Sequence, residues 1–173
     1  MNDMFHYCSS LISIDLSNFN TTKVKYIYSM FTGCSSLKYL NLSNFITKSV
    51  THMSNLFQGC ISLTSIDISN FNTENVISMA ALFEGCSSFT SLNLSNINTT
   101  KFQFMHYMFN NCRSLKYLDI SNFSDKSSSS FFNFSTSLPA SGKIKVNRLF
   151  LERIKEYITE TCEIIYSAQY KII

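Results

Sequence analysis

The sequence has no tryptophan, one proline and only four glycines in 173 residues. Charge is equally thin: 14% of the chain is charged, with 14 basic and 11 acidic residues and a formal net charge of +3. That excludes the concentrated basic face by which a protein holds nucleic acid. No apolar run is longer than a few residues, so no membrane span is expected. What the chain does have is apolar bulk, 45% of it with 16 phenylalanines, and this excludes a disordered tail. Its length suffices for one continuous core.

The six cysteines organise the rest. Five of them, Cys8, Cys34, Cys60, Cys86 and Cys112, keep one constant interval, and Cys162 falls outside the series. Other columns keep the same period. Leu11, Leu37, Leu63, Phe89 and Leu115 form one, Leu16, Leu42, Ile68, Leu94 and Ile120 another. Asn18, Asn44, Asn70, Asn96 and Asn122 form a third, followed by Phe19, Phe45, Phe71, Ile97 and Phe123. Self-similarity at such a period predicts a solenoid in which each unit buries its apolar edge against its neighbours.

Within a unit the apolar spacing changes. Around Leu40 and Leu42 it alternates, as in a short strand with one buried face. In Val50, Met53, Leu56, Phe57 and Cys60 it falls every three or four residues, which predicts a short amphipathic helix. Thr21, Thr47, Thr73 and Thr99 are placed as its N-caps. Gly33, Gly59, Gly85 and Asn111 share a column at its end, where a left-handed residue would turn the chain back. The fold expected is an α/β repeat solenoid with one short parallel strand and one short helix per 26-residue coil.

The period outlasts the obvious motif. Ile144 and Val146 lie one full period after Leu118 and Ile120 and predict a further strand. The intervening stretch, around Phe131 and Phe134, is degenerate. Beyond it, Arg148–Thr161 reads as a helix and the stretch from Cys162 as a final strand. The organisation expected is therefore a repeat array over 1–138, about five coils, and a strand–helix–strand cap over 139–173. Met1 occupies the column of Ile27, Met53, Met79 and Met105, so the chain starts inside a repeat. The expectation is either a fragment or an internal methionine of a longer array. The missing secretory signal then says little about location.

These residues resemble the BspA-like leucine-rich repeat surface proteins, in the variant first noted in mycoplasmal surface lipoproteins. The likeness rests on the glycine–cysteine pair, the leucines and the Ser-Asn-Phe positions, kept together over about Met4 to Asn122. It implies a leucine-rich-repeat-like solenoid at a cell surface or in a secreted protein, used for adhesion or partner binding.

Candidate chemistry is sparse. A catalytic cysteine needs a base and a lowered pKa, and nothing requires five copies at equal spacing. The cysteines are read as small buried hydrophobes. No Cys-x-x-Cys or Cys/His cluster suggests zinc. His6, His52 and His106 occupy different columns. No nucleophile–base pair, paired acid or phosphate loop is present, so neither an enzyme nor a cofactor is expected.

The outward strand positions carry more. One column reads Asp15, Asn41, Asp67, Asn93, Asp119 and Lys145, another Ser13, Tyr39, Ser65, Ser91, Tyr117 and Lys143. On a solenoid both face the concave surface. The contact residues expected there are Tyr39, Asn41, Asp67, Asn93, Tyr117 and Asp119, with the tyrosines as aromatic anchors. The partner would be a protein or glycan on another cell or matrix. A structural spacer in a longer surface array and an intracellular interaction scaffold are the alternatives.

Overall fold

The computed structural model describes residues 1–124, 142–158 and 162–167. They form an α/β structure with a four-stranded parallel sheet in the order β1 (Ser91–Asn93), β2 (Tyr117–Ile120), β3 (Lys143–Val146) and β4 (Glu163–Tyr166). One α-helix, α1 (Arg148–Ile154), lies between β3 and β4 and runs on as a short 3-10 turn. The degenerate stretch around Phe131 and Phe134 lies outside the described residues.

Register follows the period. Leu92 is opposite Leu118, and Leu118 opposite Ile144, each step being one full period. The step from β3 to β4 is shorter, since Lys143 faces Glu163. Earlier units carry the same strand sequence with fewer ladder bonds: the Lys38 N–H donates to the Ile12 carbonyl at 3.0 Å. Among the described residues regular strands begin only at Ser91.

The segment expected as a helix in each unit is a run of turns instead. Two columns take left-handed backbone. One is the anticipated Gly33, Gly59, Gly85 and Asn111, at φ of 72°, 71°, 73° and 60°. The other, Ser29, Asn55, Ala81 and Tyr107, lies four residues earlier at φ between 53° and 59°. A left-handed residue at every fourth position prevents continuous right-handed i to i−4 bonding. The N–H groups then divide. Those of Leu56, Gln58 and Cys60 donate three residues back, to Met53, Asn55 and Phe57. Those of Met53, Asn55, Phe57 and Gly59 donate to the carbonyls of Ser78, Ala80, Leu82 and Glu84 in the next unit, at 2.7–3.1 Å. The same four bonds recur from Ile27, Ser29, Phe31 and Gly33 to His52, Ser54, Leu56 and Gln58. Each unit is thus sewn to the next by backbone on its turn side as well as its strand side.

The threonines are not caps either. Thr47 is 2% exposed, and its hydroxyl accepts from the Asn72 N–H at 2.7 Å while donating to the Asn72 carbonyl at 3.0 Å. Thr21 and Thr73 do the same to Ile46 and Asn98. The asparagines reach the other way. Asn44 Nδ2 donates to the Leu16 carbonyl at 2.8 Å, and Asn70 to that of Leu42 at 3.0 Å. Asn147 continues this job onto Ser121 and Phe123, while its Oδ1 accepts from the Phe150 N–H and caps α1.

Between these polar seams lies one apolar core. Phe5, Phe31, Phe57, Phe83 and Phe109 stack ring on ring, with centroids 5.4–6.1 Å apart and planes within 12°. Cys34, Cys60, Cys86 and Cys112 are fully buried and unpaired by disulfides. Each thiol points at a phenylalanine carbonyl in the preceding unit, as Cys60 does to Phe31 at 3.2 Å.

Candidate binding face

The thiols, which first invite a catalytic reading, have the wrong electrostatics for it. Burial pushes Cys34 up to about 11 and Cys60 and Cys112 up to about 12. A nucleophilic thiol needs the opposite shift. The histidines are dispersed: His52 lies against Tyr26, His6 against Tyr7, and His106 between Phe104 and Tyr107. Among the described residues no group of three or more His, Cys, Asp or Glu is placed to hold a metal. Nor, among them, is any helix long and apolar enough to cross a membrane.

The outward strand positions divide into two regions. In the first three units buried Leu16, Leu40, Leu42 and Ile68 mark the inner side of the strand-like segments, leaving Tyr39 65% exposed on the outer side. Tyr39, Asn41 and Ser43 form a ridge between two depressions. One, of about 360 Å³, includes Ser13, Asp15 and Ser17; the other, of about 310 Å³, includes Ser65, Asp67 and Ser69. The structure therefore brings together Tyr39, Asn41 and Asp67 from the expected contacts and adds Asp15.

The acidic and amide groups in this column share one local geometry. Asp15, Asn41, Asp67, Asn93 and Asp119 each accept from the N–H two residues on, at 2.9–3.0 Å. This turn closes the strand segment of each of these five units and calls for an Asp or Asn oxygen there. It also holds the Asp15 and Asp67 carboxyls below their ordinary value, through hydrogen bonds from Ser17 and Ser69.

The second region is closed. Asp119 is 4% exposed, and its Oδ2 accepts from Lys145 Nζ at 2.9 Å. Burial alone would raise its carboxyl, but hydrogen bonds from Ser121 and Lys145 outweigh it and hold it low. Tyr117 is half-buried on β2 beside these groups. Asn93 on β1 is exposed, with its Oδ1 engaged by both the backbone N–H and the hydroxyl of Ser95. Asp119, expected on an open face, is thus tied into the sheet by its neighbour. Farther along, Lys143 pairs with Glu163 at 2.8 Å, and Arg148 lies over the Tyr166 ring at 5.1 Å.

A larger depression, about 680 Å³, escaped sequence reasoning. It runs along the turns after the strands and is lined by Asn70, Asn72, Asn96, Asn98, Asn122 and Asn147, with Glu74 its sole formal charge among the lining residues. The Asn-x-Asn-Thr stretches at Asn70–Thr73 and Asn96–Thr99 were the available signal, but they read equally as composition. Asn70 and Asn96 are committed by Nδ2 to the seams between units, and Asn98 Oδ1 to its own turn, where it accepts from the Thr100 N–H.

The chain has no significant match among curated proteins or among solved structures. The family described as "Mycoplasma protein of unknown function, DUF285" matches it over residues 1–41 and 29–143. With most of its length covered by that match, the chain belongs to this family of mycoplasmal repeat proteins of unknown function.

Proposed function

We propose that this chain is a non-catalytic, BspA-like module, a leucine-rich-repeat-like solenoid that binds a protein or glycan through its strand face at a cell surface. The solenoid reading is supported by the 26-residue register from β1 to β3 and by backbone, threonine and asparagine seams repeated between units. The observation that carries the binding reading is Tyr39. A tyrosine 65% exposed between two depressions has the form of an aromatic anchor rather than a core residue. Display outside a cell rests on the resemblance to surface repeat proteins.

The test is retention of partners from host-cell or matrix extracts by the immobilised full chain. Tyr39→Ala, with an unchanged circular dichroism spectrum and urea midpoint, is expected to lose that retention. Equal retention by the folded variant would refute Tyr39 as the anchor. One observation favours the spacer alternative: every Asp or Asn of the column commits one oxygen to its own turn. A spacer would retain nothing in either form.

A further inference from the structure

Resting on that strand-face reading, we infer that the face of the first three units receives a lysine-bearing polypeptide segment in the polyproline-II form, its lysines three residues apart. Asp119 supplies the precedent. Its Oδ1 takes the Ser121 N–H and its Oδ2 takes Lys145 Nζ, from the residue opposite it in the next strand. Asp15 and Asp67 belong to the same column and hold the same turn with one oxygen. Among the described residues neither has a cationic partner, because the units beside them place Asn41 and Asn93 where β3 places Lys145. The protein therefore shows internally which side chain this geometry accepts, and leaves two copies of the acceptor open.

Spacing then selects the ligand. Asp15 and Asp67 lie two units apart, about 9.6 Å at the ordinary strand separation. A polyproline-II segment presents the same face every three residues, about 9.3 Å. A β-strand presents its face at about 6.7 or 13.4 Å and misses the pair. Polyproline II also leaves its backbone solvated and asks for no strand edge, which suits units that, among the described residues, form no regular strand. Between the two lysines, an apolar residue of the segment would rest on Tyr39, and the Asn41 amide is within the same ridge. The two depressions admit the lysine stems on either side.

The experiment measures fluorescence anisotropy of a labelled proline-rich peptide carrying two lysines three residues apart, titrated with the full chain at low salt. Asp15→Asn and Asp67→Asn, which keep the turn-forming oxygen, are each expected to weaken binding about two- to five-fold, the range of an exposed ion pair. The double variant should weaken it about ten-fold, and raised salt should do the same. A peptide with lysines two residues apart should bind more weakly, and one with glutamates in their place should not bind. Equal affinity for the two lysine spacings, or no effect of the double variant, overturns the inference. Tyr39-dependent retention of an extract partner without peptide binding also overturns it while leaving the proposed function standing. Failure of both experiments removes both readings.

Discussion

If the threonine column clamps adjacent units, replacing one hydroxyl should cost more than removing a methyl from the same side chain. Thr73 is the cleanest case, 2% exposed and central in the array. Its Oγ1 accepts from the Asn98 N–H at 2.8 Å and donates to the Asn98 carbonyl at 3.0 Å. Valine has nearly the same shape and the same β-branching, so Thr73→Val leaves no cavity and adds no backbone strain. What it removes is the partner of a sequestered N–H, a loss of about 1–3 kcal/mol, with a smaller contribution from the carbonyl. A total of about 2 kcal/mol is expected. Thr73→Ser keeps the hydroxyl and loses one methyl, about 0.8 kcal/mol. Urea unfolding of the full chain, followed by far-ultraviolet circular dichroism, separates the two. With a slope of about 2 kcal/mol per molar, valine should lower the midpoint by about 1 M and serine by less than half of that. The exposed Thr22, whose hydroxyl reaches only the Asn20 side chain, is the control, and Thr22→Val should change little. A valine variant as stable as the parent to within about 0.5 kcal/mol, the range of an ordinary surface substitution, would refute the clamp. So would a serine variant less stable than the valine one.

The thiol column makes a second prediction, in two parts. In the folded chain a disulfide reagent should label exposed Cys8 quickly, while Cys34, Cys60, Cys86 and Cys112 react only on unfolding. Burial raises the buried thiols, so between about pH 8.5 and 12 the unfolded chain releases protons that the folded chain keeps. Stability present below that window is therefore lost as pH rises through it, by about 1.4 kcal/mol per pH unit for each such thiol. Cys86→Ala should flatten the alkaline limb by one such share, and an unchanged limb would count against burial. The glycines give a third. Gly59→Ala should cost about 1–2 kcal/mol in urea unfolding, because its φ is 71° while its added Cβ meets only Gly33 backbone at 3.6 Å. Gly33→Ala should cost more, since its Cβ would run into the Tyr7 ring, and Tyr7→Ala should erase the excess.

Legibility depended on which physical quantity each residue reports. Spacing alone exposed the repeat, the inward columns and the continuation to Ile144 and Val146, because burial against a neighbour demands the same residue at every step. It did not expose what the backbone does between Val50 and Cys60. Apolar residues three and four apart satisfy a helix, and they also satisfy two consecutive turns that present the same side. The deciding groups were Asn55 and Ala81, whose left-handed φ leaves no compositional mark comparable to that of Gly59 and Gly85. The threonines misled for a related reason. A buried hydroxyl before an apolar run looks like a cap whether its partner is near in sequence or a whole unit away, and only the fold brings Asn72 to Thr47. On the strand face, Tyr39 and Asp67 were legible as outward positions and the Asp119–Lys145 pair as neighbours in one column, whereas the burial of Asp119 was not.

The seams also locate where specificity can be written. Between units the turn-side N–H groups of Met53, Asn55, Phe57 and Gly59 and their counterparts reach the carbonyls of the next unit, while those of Thr51, Ile77 and Gln103 donate back to Lys25, Thr51 and Ile77 of the preceding one. A residue serving such a seam must recur in each unit, as Cys34, Thr47 and Asn44 do, and a recurring residue cannot distinguish one part of the surface from another. The columns free to differ are those that touch neither neighbour through a required bond. Tyr39 stands where the adjacent units have Ser13 and Ser65, and Lys145 where earlier ones have Asn or Asp. Asp and Asn are interchangeable for the turn that the column must make, since either supplies the accepting oxygen. They differ only in what the second oxygen or nitrogen offers to the outside. The choice of carboxylate at 15 and 67 and of amide at 41 and 93 therefore leaves the fold indifferent and sets the charge pattern of the face. That makes Asp67→Asn the sharpest single change on this protein: it should leave the stability of the full chain in urea within about 0.5 kcal/mol of the parent. A variant that binds as before yet unfolds more readily would mean the carboxylate serves the fold, and the separation of seam from face would fail.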